Sequence, residues 1–246
     1  MSPGIANRNY YEDYWATGGL YAQGSHVPLD PAVHRMLSSQ IPAQSCCLDL
    51  GCGDGSAAAT WLTSRIARYV GVDISESAVR NACERGLDAR TIEDASTLPF
   101  PDATFDLVLC TEVLEHVFQP QLVALEILRV LRPGAMLIAT VPNVTHWRHR
   151  ISFCFQGCWD PYGHNLSVER PWSDPHIRFF TNKTLQRMLT LTGFDHVQIS
   201  GGLPDRLRRV PWVGQNFDRI SRMPWVPIWV SRRLVAVAYK PGPGKD

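Results

Sequence analysis

Two groups of residues in the 246-residue chain have types and spacing that can do chemistry. The first is the run Leu48-Asp49-Leu50-Gly51-Cys52-Gly53-Asp54-Gly55, where glycines follow the apolar segment 46–50. Glycines at such a turn tolerate positive φ and let a ligand come close to the backbone. A helix beginning just beyond would add oriented N–H groups. Asp73 closes the next apolar run, where a carboxylate can accept hydrogen bonds from ribose hydroxyls. These features point to an adenosine-containing ligand. The second group is Thr111-Glu112-Val113-Leu114-Glu115-His116-Val117. If this stretch is helical, the i, i+3, i+4 spacing puts Glu112, Glu115 and His116 on one face. Two carboxylates and an imidazole suit a divalent cation. His116 alone, with its near-neutral pKa, suits general-base work, and a packing role is the third reading.

The elements that must position these groups alternate in type. Short apolar runs at 46–50, 69–74, 89–93, 105–110 and 135–141 read as strands. Helical patterns separate them at 57–67, 75–86 and 121–131, with Ser75 as an N-cap and Gly86 as a stop. Such alternation predicts a parallel sheet with helices on both faces. A further helix is expected over 181–193, and closing strands at 197–199 and 234–239. Residues 143–176 and 203–230 are rich in Trp, Pro and basic residues and show no clean period.

The glycines alone also fit a nicotinamide dinucleotide, through Gly53-x-Gly55-x-x-Ala58 with Asp73 downstream. The neighbouring phrases separate the two ligands. Asp94-Ala95 follows the third strand; then come Leu98-Pro99-Phe100-Pro101-Asp102-Ala103-Thr104-Phe105-Asp106 and Arg129-Val130-Leu131-Arg132-Pro133-Gly134. With these motifs in order over residues 46–142 and again over 176–200, the chain resembles the class I S-adenosylmethionine (SAM)-dependent methyltransferases. That resemblance implies an α/β fold: a seven-stranded Rossmann-like sheet, six strands parallel and the last antiparallel, with an aromatic-rich cap insertion. It implies that Asp49, Gly51 and Gly53 hold the methionine end of SAM, Asp73 the ribose, and Asp94 with Ala95 the adenine, with Ile74 also against the cofactor. Thr111 would complete the cofactor pocket.

The Glu112–His116 phrase is similar to one in metal-assisted O-methyltransferases, where a downstream histidine precedes an aromatic–Thr phrase. His176-Ile177-Arg178-Phe179-Phe180-Thr181 matches that context. The resemblance thus implies Glu112, Glu115, His116 and His176 as ligands of a divalent metal, Mg2+ or Zn2+, with His116 as the catalytic base where no metal is used. The acceptor it implies is a hydroxyl of a small molecule, a glycan or a lipid-linked intermediate. An N- or C-methyltransferase, or a non-catalytic SAM-binding partner subunit, are the alternatives.

Composition sets the outer bounds. Charged residues make up 19% and hydrophobic ones 45%, the balance of a folded chain rather than a disordered one. We read 1–246 as one domain, with 1–40 as a lid carrying Tyr10, Tyr11, Tyr14 and Trp15, 143–176 as a substrate-loop insertion, and 203–230 as a basic flap. The seven cysteines include no C-x-x-C pair and read as reduced core residues. Neither a basic-then-apolar leader nor an apolar run of ~20 residues is present, so the expected location is cytoplasmic. A net charge of +1 argues against a nucleic-acid partner, yet it is a cancellation. Residues 201–246 hold nine Lys and Arg against three Asp, a net +6, so residues 1–200 carry −5. Interleaved Trp and Arg at 203–233 suit peripheral contact with a membrane or a phosphate-bearing acceptor.

Overall fold

A computed structural model of the chain describes residues 3–17, 41, 43–157, 175–201, 210–216 and 226–244. The elements are α1 (Pro3–Ala16), β1 (Cys46–Leu50), α2 (Ala59–Leu62), β2 (Arg68–Asp73), α3 (Glu76–Glu84), β3 (Ala89–Thr91) and β4 (Phe105–Thr111). They continue with α4 (Pro120–Val130), β5 (Leu131–Pro142), α5 (Trp147–Gln156), α6 (Asn182–Thr192), β6 (Asp195–Gly201), α7 (Pro211–Gln215), α8 (Val226–Val230) and β7 (Arg233–Tyr239).

The seven strands form one sheet in the order β3-β2-β1-β4-β5-β7-β6. β1 lies parallel to β2 and β4, β3 parallel to β2, and β5 parallel to β4. β7 runs antiparallel to both β5 and β6. This is the expected Rossmann-like sheet with its last strand reversed.

Period-two alternation along buried strands explains the two cores. Leu48, Leu50, Val108 and Cys110 enter one cluster, which α4 and α6 cover with Val123, Ile127, Leu185 and Leu189. Cys47, Leu107 and Leu109 enter the opposite cluster with Ala59 and Leu62 of α2. A strand buried on both faces therefore reads as a continuous apolar run.

Several boundaries differ from the sequence reading. The helix expected over 57–67 is one short turn at Ala59–Leu62, because the glycine turn continues to residue 58. β3 stops at Thr91 rather than 93. Residues 3–16 and 147–156 form helices where no period was visible. Of the predicted lid, residues 18–40 lie outside the described residues. So do 158–174, which include Trp159, His164 and Trp172, and most of the flap at 202–209 and 217–225.

The motif phrases also fasten the frame. Arg129 donates to Leu98 O (3.1 Å), Phe100 O (2.8 Å), Asp102 (2.7 Å) and Glu126 (2.7 and 2.9 Å), and the Glu126 carboxylate accepts from Leu98 N (2.6 Å). Arg132 holds Asp106 at 2.7 Å, and Asp106 accepts from Cys46 N at 2.9 Å. Arg129 and Arg132 therefore pin the loop before β4 and the start of β1.

Candidate active site

The carboxyl ends of β1, β2, β4 and β5 meet at one edge of the sheet, where open α/β sheets bind ligands. At β1, Gly51 and Gly53 have φ of +76° and +55°. Gly51 N and Cys52 N donate to Val72 O, which bends the turn toward β2. A Cβ at Gly51 would collide with the Val113 side chain, and one at Gly53 would lie 2.5 Å from Trp15 Cζ2. Both positions therefore need glycine for conformation and for room.

Asp73 ties this turn to the next. Its Oδ2 accepts from Gly53 N at 2.9 Å and its Oδ1 from Ser75 N at 3.0 Å. Burial raises its pKa, and the backbone N–H bonds oppose that rise. Each oxygen keeps a further lone pair for a ligand hydroxyl. Asp49 sits on the α2 side of β1 and is fully enclosed. Tyr69 donates its hydroxyl to Asp49 Oδ2 at 2.8 Å, while Oδ1 is buried with no hydrogen bond. Burial pushes the Asp49 carboxyl up to about 6 despite the Tyr69 bond. Ile74 is half-buried beside the α4 core, and Thr111 ends β4. Asp94 is exposed and accepts from Ser96 N at 2.7 Å, while Ala95 is buried.

α1 lies against this edge. Its Glu12 carboxylate accepts the Ser75 hydroxyl (2.8 Å), Ser77 N (3.2 Å) and the Ser77 hydroxyl, all in the first turn of α3. The serine hydroxyls hold the Glu12 carboxyl down to about 2. Arg8 pairs with Glu76 at 3.0 Å. From the same helix, Trp15 faces Gly53 and the Tyr11 ring meets His116 edge-on, with centroids 5.5 Å apart. Glu12 escaped the sequence reading, because an acid in an aromatic stretch carries no positional signal.

The segment after β4 is not the helix that its spacing allowed. Residues 114–116 form a turn, closed by His116 N donating to Val113 O at 3.0 Å. Glu112 takes φ +56°, and its side chain goes to β5 and β7 instead. Its Oε1 accepts from the Thr140 hydroxyl at 2.9 Å, and its Oε2 pairs with Arg233 Nε at 3.1 Å. Glu112 is thus held by Thr140 and Arg233 and, although near Glu115, does not join the other three predicted ligands.

Those three come together. Glu115, His116 and His176 each present a ligating atom, all within 4.8 Å of one another. Ile177 N and Arg178 N donate to Glu115 O (2.9 and 3.0 Å), and Arg178 reaches Phe118 O, which docks His176 beside the turn. The two imidazole centroids are 4.5 Å apart. The Glu115 carboxylate is 1% exposed, and neither oxygen has a hydrogen bond. Burial and the nearby Glu112 charge push its pKa well up. Its Oε1 lies 3.7 Å from His116 Nε2, within ion-pair range but too far for a hydrogen bond. His116 Nδ1 lies 3.1 Å from Pro175 O. A carbonyl can only accept, so Nδ1 carries the proton, and in the neutral ring Nε2 bears the lone pair toward Glu115.

A seven-stranded Rossmann-like sheet with one antiparallel strand, a glycine turn after β1 and an aspartate ending β2 is the architecture of the methyltransferase class of α/β proteins. Residues 48–139 match the family described as methyltransferase domain. The chain is 31% identical over 195 residues to a "probable S-adenosylmethionine-dependent methyltransferase" of Mycolicibacterium smegmatis, covering 78% of this chain and 62% of that one. It is 33% identical over 136 residues to 27-O-demethylrifamycin SV methyltransferase of Amycolatopsis mediterranei, covering 52% and 49%. A SAM-dependent methyltransferase of Thermotoga maritima superposes with a TM-score of 0.59 at 19% identity, over 96% of this chain and 98% of that one. The chain belongs to the class I SAM-dependent methyltransferases. It spans about half to three-fifths of the length of the curated relatives it matches.

Proposed function

We propose that this chain binds SAM over the Gly51–Gly53 turn and transfers its methyl group to a hydroxyl of a small-molecule, glycan or lipid-linked acceptor. Glu115, His116 and His176 would hold a divalent cation beside that hydroxyl. The observation that carries this reading is the fully buried Glu115 carboxylate, both oxygens without hydrogen bonds, beside two imidazoles. A buried carboxyl without partners is held in its neutral form unless a cation joins it. The two imidazoles beside Glu115 supply the further donors a cation needs. Two nitrogens and one oxygen favour Zn2+ over Mg2+, which prefers oxygen ligands.

SAM fits the other half of the edge. Its positive charge matches the orphaned Asp49 Oδ1, and its ribose hydroxyls match the remaining lone pairs of Asp73. Trp15 and Tyr11 would close the site from above and exclude water. Methyl transfer from a sulfonium is an in-line displacement, so rigid alignment is the main demand. A bound cation would act as a Lewis acid, lowering the pKa of an acceptor hydroxyl. The name of the Amycolatopsis relative, 27-O-demethylrifamycin SV methyltransferase, is in keeping with a hydroxyl acceptor.

A second reading rests on the His116 Nδ1–Pro175 contact. With Nδ1 donating, Nε2 is oriented to take the hydroxyl proton directly, without metal. Transfer of labelled methyl from SAM to a panel of phenolic and vicinal-diol acceptors tests both. Loss of activity with chelator and recovery with added Zn2+ or Mg2+ supports the cation reading. Chelator-indifferent activity that His116→Ala abolishes selects the base reading. SAM binding without transfer to any acceptor would overturn both, leaving a SAM-binding partner subunit.

A further inference from the structure

The acceptor side of the sheet carries an apolar helical face that the site does not use. α5 leaves the carboxyl end of β5, the edge that holds the candidate site. Asn143 fixes this departure: its side chain donates to Ile228 O (2.6 Å) and Ser231 O (2.9 Å) and accepts from Thr145 N (3.0 Å). His146 caps α5 by accepting from Arg148 N at 3.2 Å, and His146 and His149 are buried beneath the helix. On the outward side, Trp147, Ile151 and Phe155 follow i, i+4, i+8 spacing and are 43%, 49% and 84% exposed. At about 100° per residue, this stripe is flanked by Arg148 on one side and Arg150 on the other, both exposed. The sequence of α5, Trp-Arg-His-Arg-Ile-Ser-Phe-Cys-Phe-Gln, contains no acid.

The basic and aromatic pattern continues on α8. The Arg150 guanidinium lies 4.5 Å over the ring of Trp229, itself half exposed. Ring and cation together form a surface with an apolar body and a charged rim. The chain from residue 201 onward adds a net +6.

We infer that α5 is an interfacial helix, with Trp147, Ile151 and Phe155 entering the headgroup boundary of an anionic bilayer and Arg148 and Arg150 paired with lipid phosphates. Helices with an apolar stripe, flanking arginines and an interfacial Trp lie in the plane of a membrane surface. Ten residues rise about 15 Å, half of a bilayer core of about 30 Å, so α5 lies on the membrane and does not span it. No helix among the described residues is long and apolar enough to cross a membrane. A second copy of the chain is a poorer occupant, because two-fold pairing of the stripe would bring like charges together along its rims. Docking in this orientation would present the acceptor side of the site to the lipid surface.

Flotation of the full chain with phosphatidylcholine vesicles, with and without phosphatidylglycerol, tests this inference. We expect binding to the phosphatidylglycerol vesicles, weakened by salt. It should fall at least about tenfold in Ile151→Glu and in the milder Phe155→Ser, with melting temperatures unchanged. Arg148→Ala with Arg150→Ala should lower only the phosphatidylglycerol-dependent part. Three results would each overturn the inference. One is no binding to phosphatidylglycerol vesicles. Another is binding that neither stripe variant reduces, which would assign it to the basic C-terminal segment alone. The third is a dimer in solution that Phe155→Ser converts to monomer.

Discussion

The two halves of the candidate site treat their buried polar groups differently. On the cofactor half, the Asp73 carboxylate accepts one N–H at each oxygen, and the Gly51–Gly53 turn is fastened to β2 through Val72 O. On the acceptor half, Glu115 is equally buried, yet both its oxygens lack a hydrogen-bond partner. Satisfied groups mark a shape built before the ligand arrives, whereas a buried carboxyl without partners marks a place where a counter-charge can bind. Asp49 stands between the two cases, with Tyr69 on one oxygen and nothing on the other. By the same logic, each half should receive positive charge: SAM at Asp49, a metal ion at Glu115.

Substitutions can break this contrast, and the largest effect belongs to the prebuilt half. Gly51→Ala forces a Cβ onto Val113 at a left-handed position. SAM affinity by isothermal titration should fall at least about 100-fold, which is about 2.7 kcal/mol. Glu115→Gln should lower methyl transfer by about 100-fold. The metal-stripped variant should nevertheless melt no lower than metal-stripped wild type, because a neutral amide replaces a carboxyl whose charged form burial already disfavours. A Glu115 that served only packing would leave methyl transfer unchanged on this near-isosteric change.

A pH series sharpens the role of Asp49. Its carboxyl, raised to about 6 by burial, is neutral below that pH and charged above it. Affinity for cationic SAM should therefore be full above about pH 6 and fall about tenfold for each unit below it. Asp49→Asn should flatten the profile. The smallest effect is expected for Glu12→Gln, which weakens the charged cap that holds α1 on α3. Dissociation of SAM, followed by stopped-flow fluorescence, should quicken about threefold as the covering helix loosens.

The cofactor half was largely legible in the sequence because its requirements are local. Gly51 and Gly53 follow from a turn that needs positive φ, and Asp73 from its place at the end of the neighbouring strand. The acceptor half is assembled from distant segments, and that is where local spacing misled. The i, i+3, i+4 pattern grouped Glu112 with Glu115 and His116, but the left-handed backbone at Glu112 turned it toward Thr140 and Arg233. His176, sixty residues beyond His116, was reached through the resemblance and not through spacing. α1 and α5 showed no period because neither buries a conventional apolar face. α1 is held by Glu12, Arg8 and aromatic edges, and α5 turns its apolar stripe outward. Tyr69 did have a signal: in the parallel register it pairs with Cys47, on the strand face that Asp49 shares.

The central claim is that Glu115, His116 and His176 form a cation site. Its most direct test is titration of metal-stripped protein with Zn2+ against a chromophoric chelator, for wild type, Glu115→Gln and His176→Ala. The account predicts one tightly bound equivalent in wild type and none in either variant. No bound equivalent in wild type, or the same binding in both variants, would contradict it.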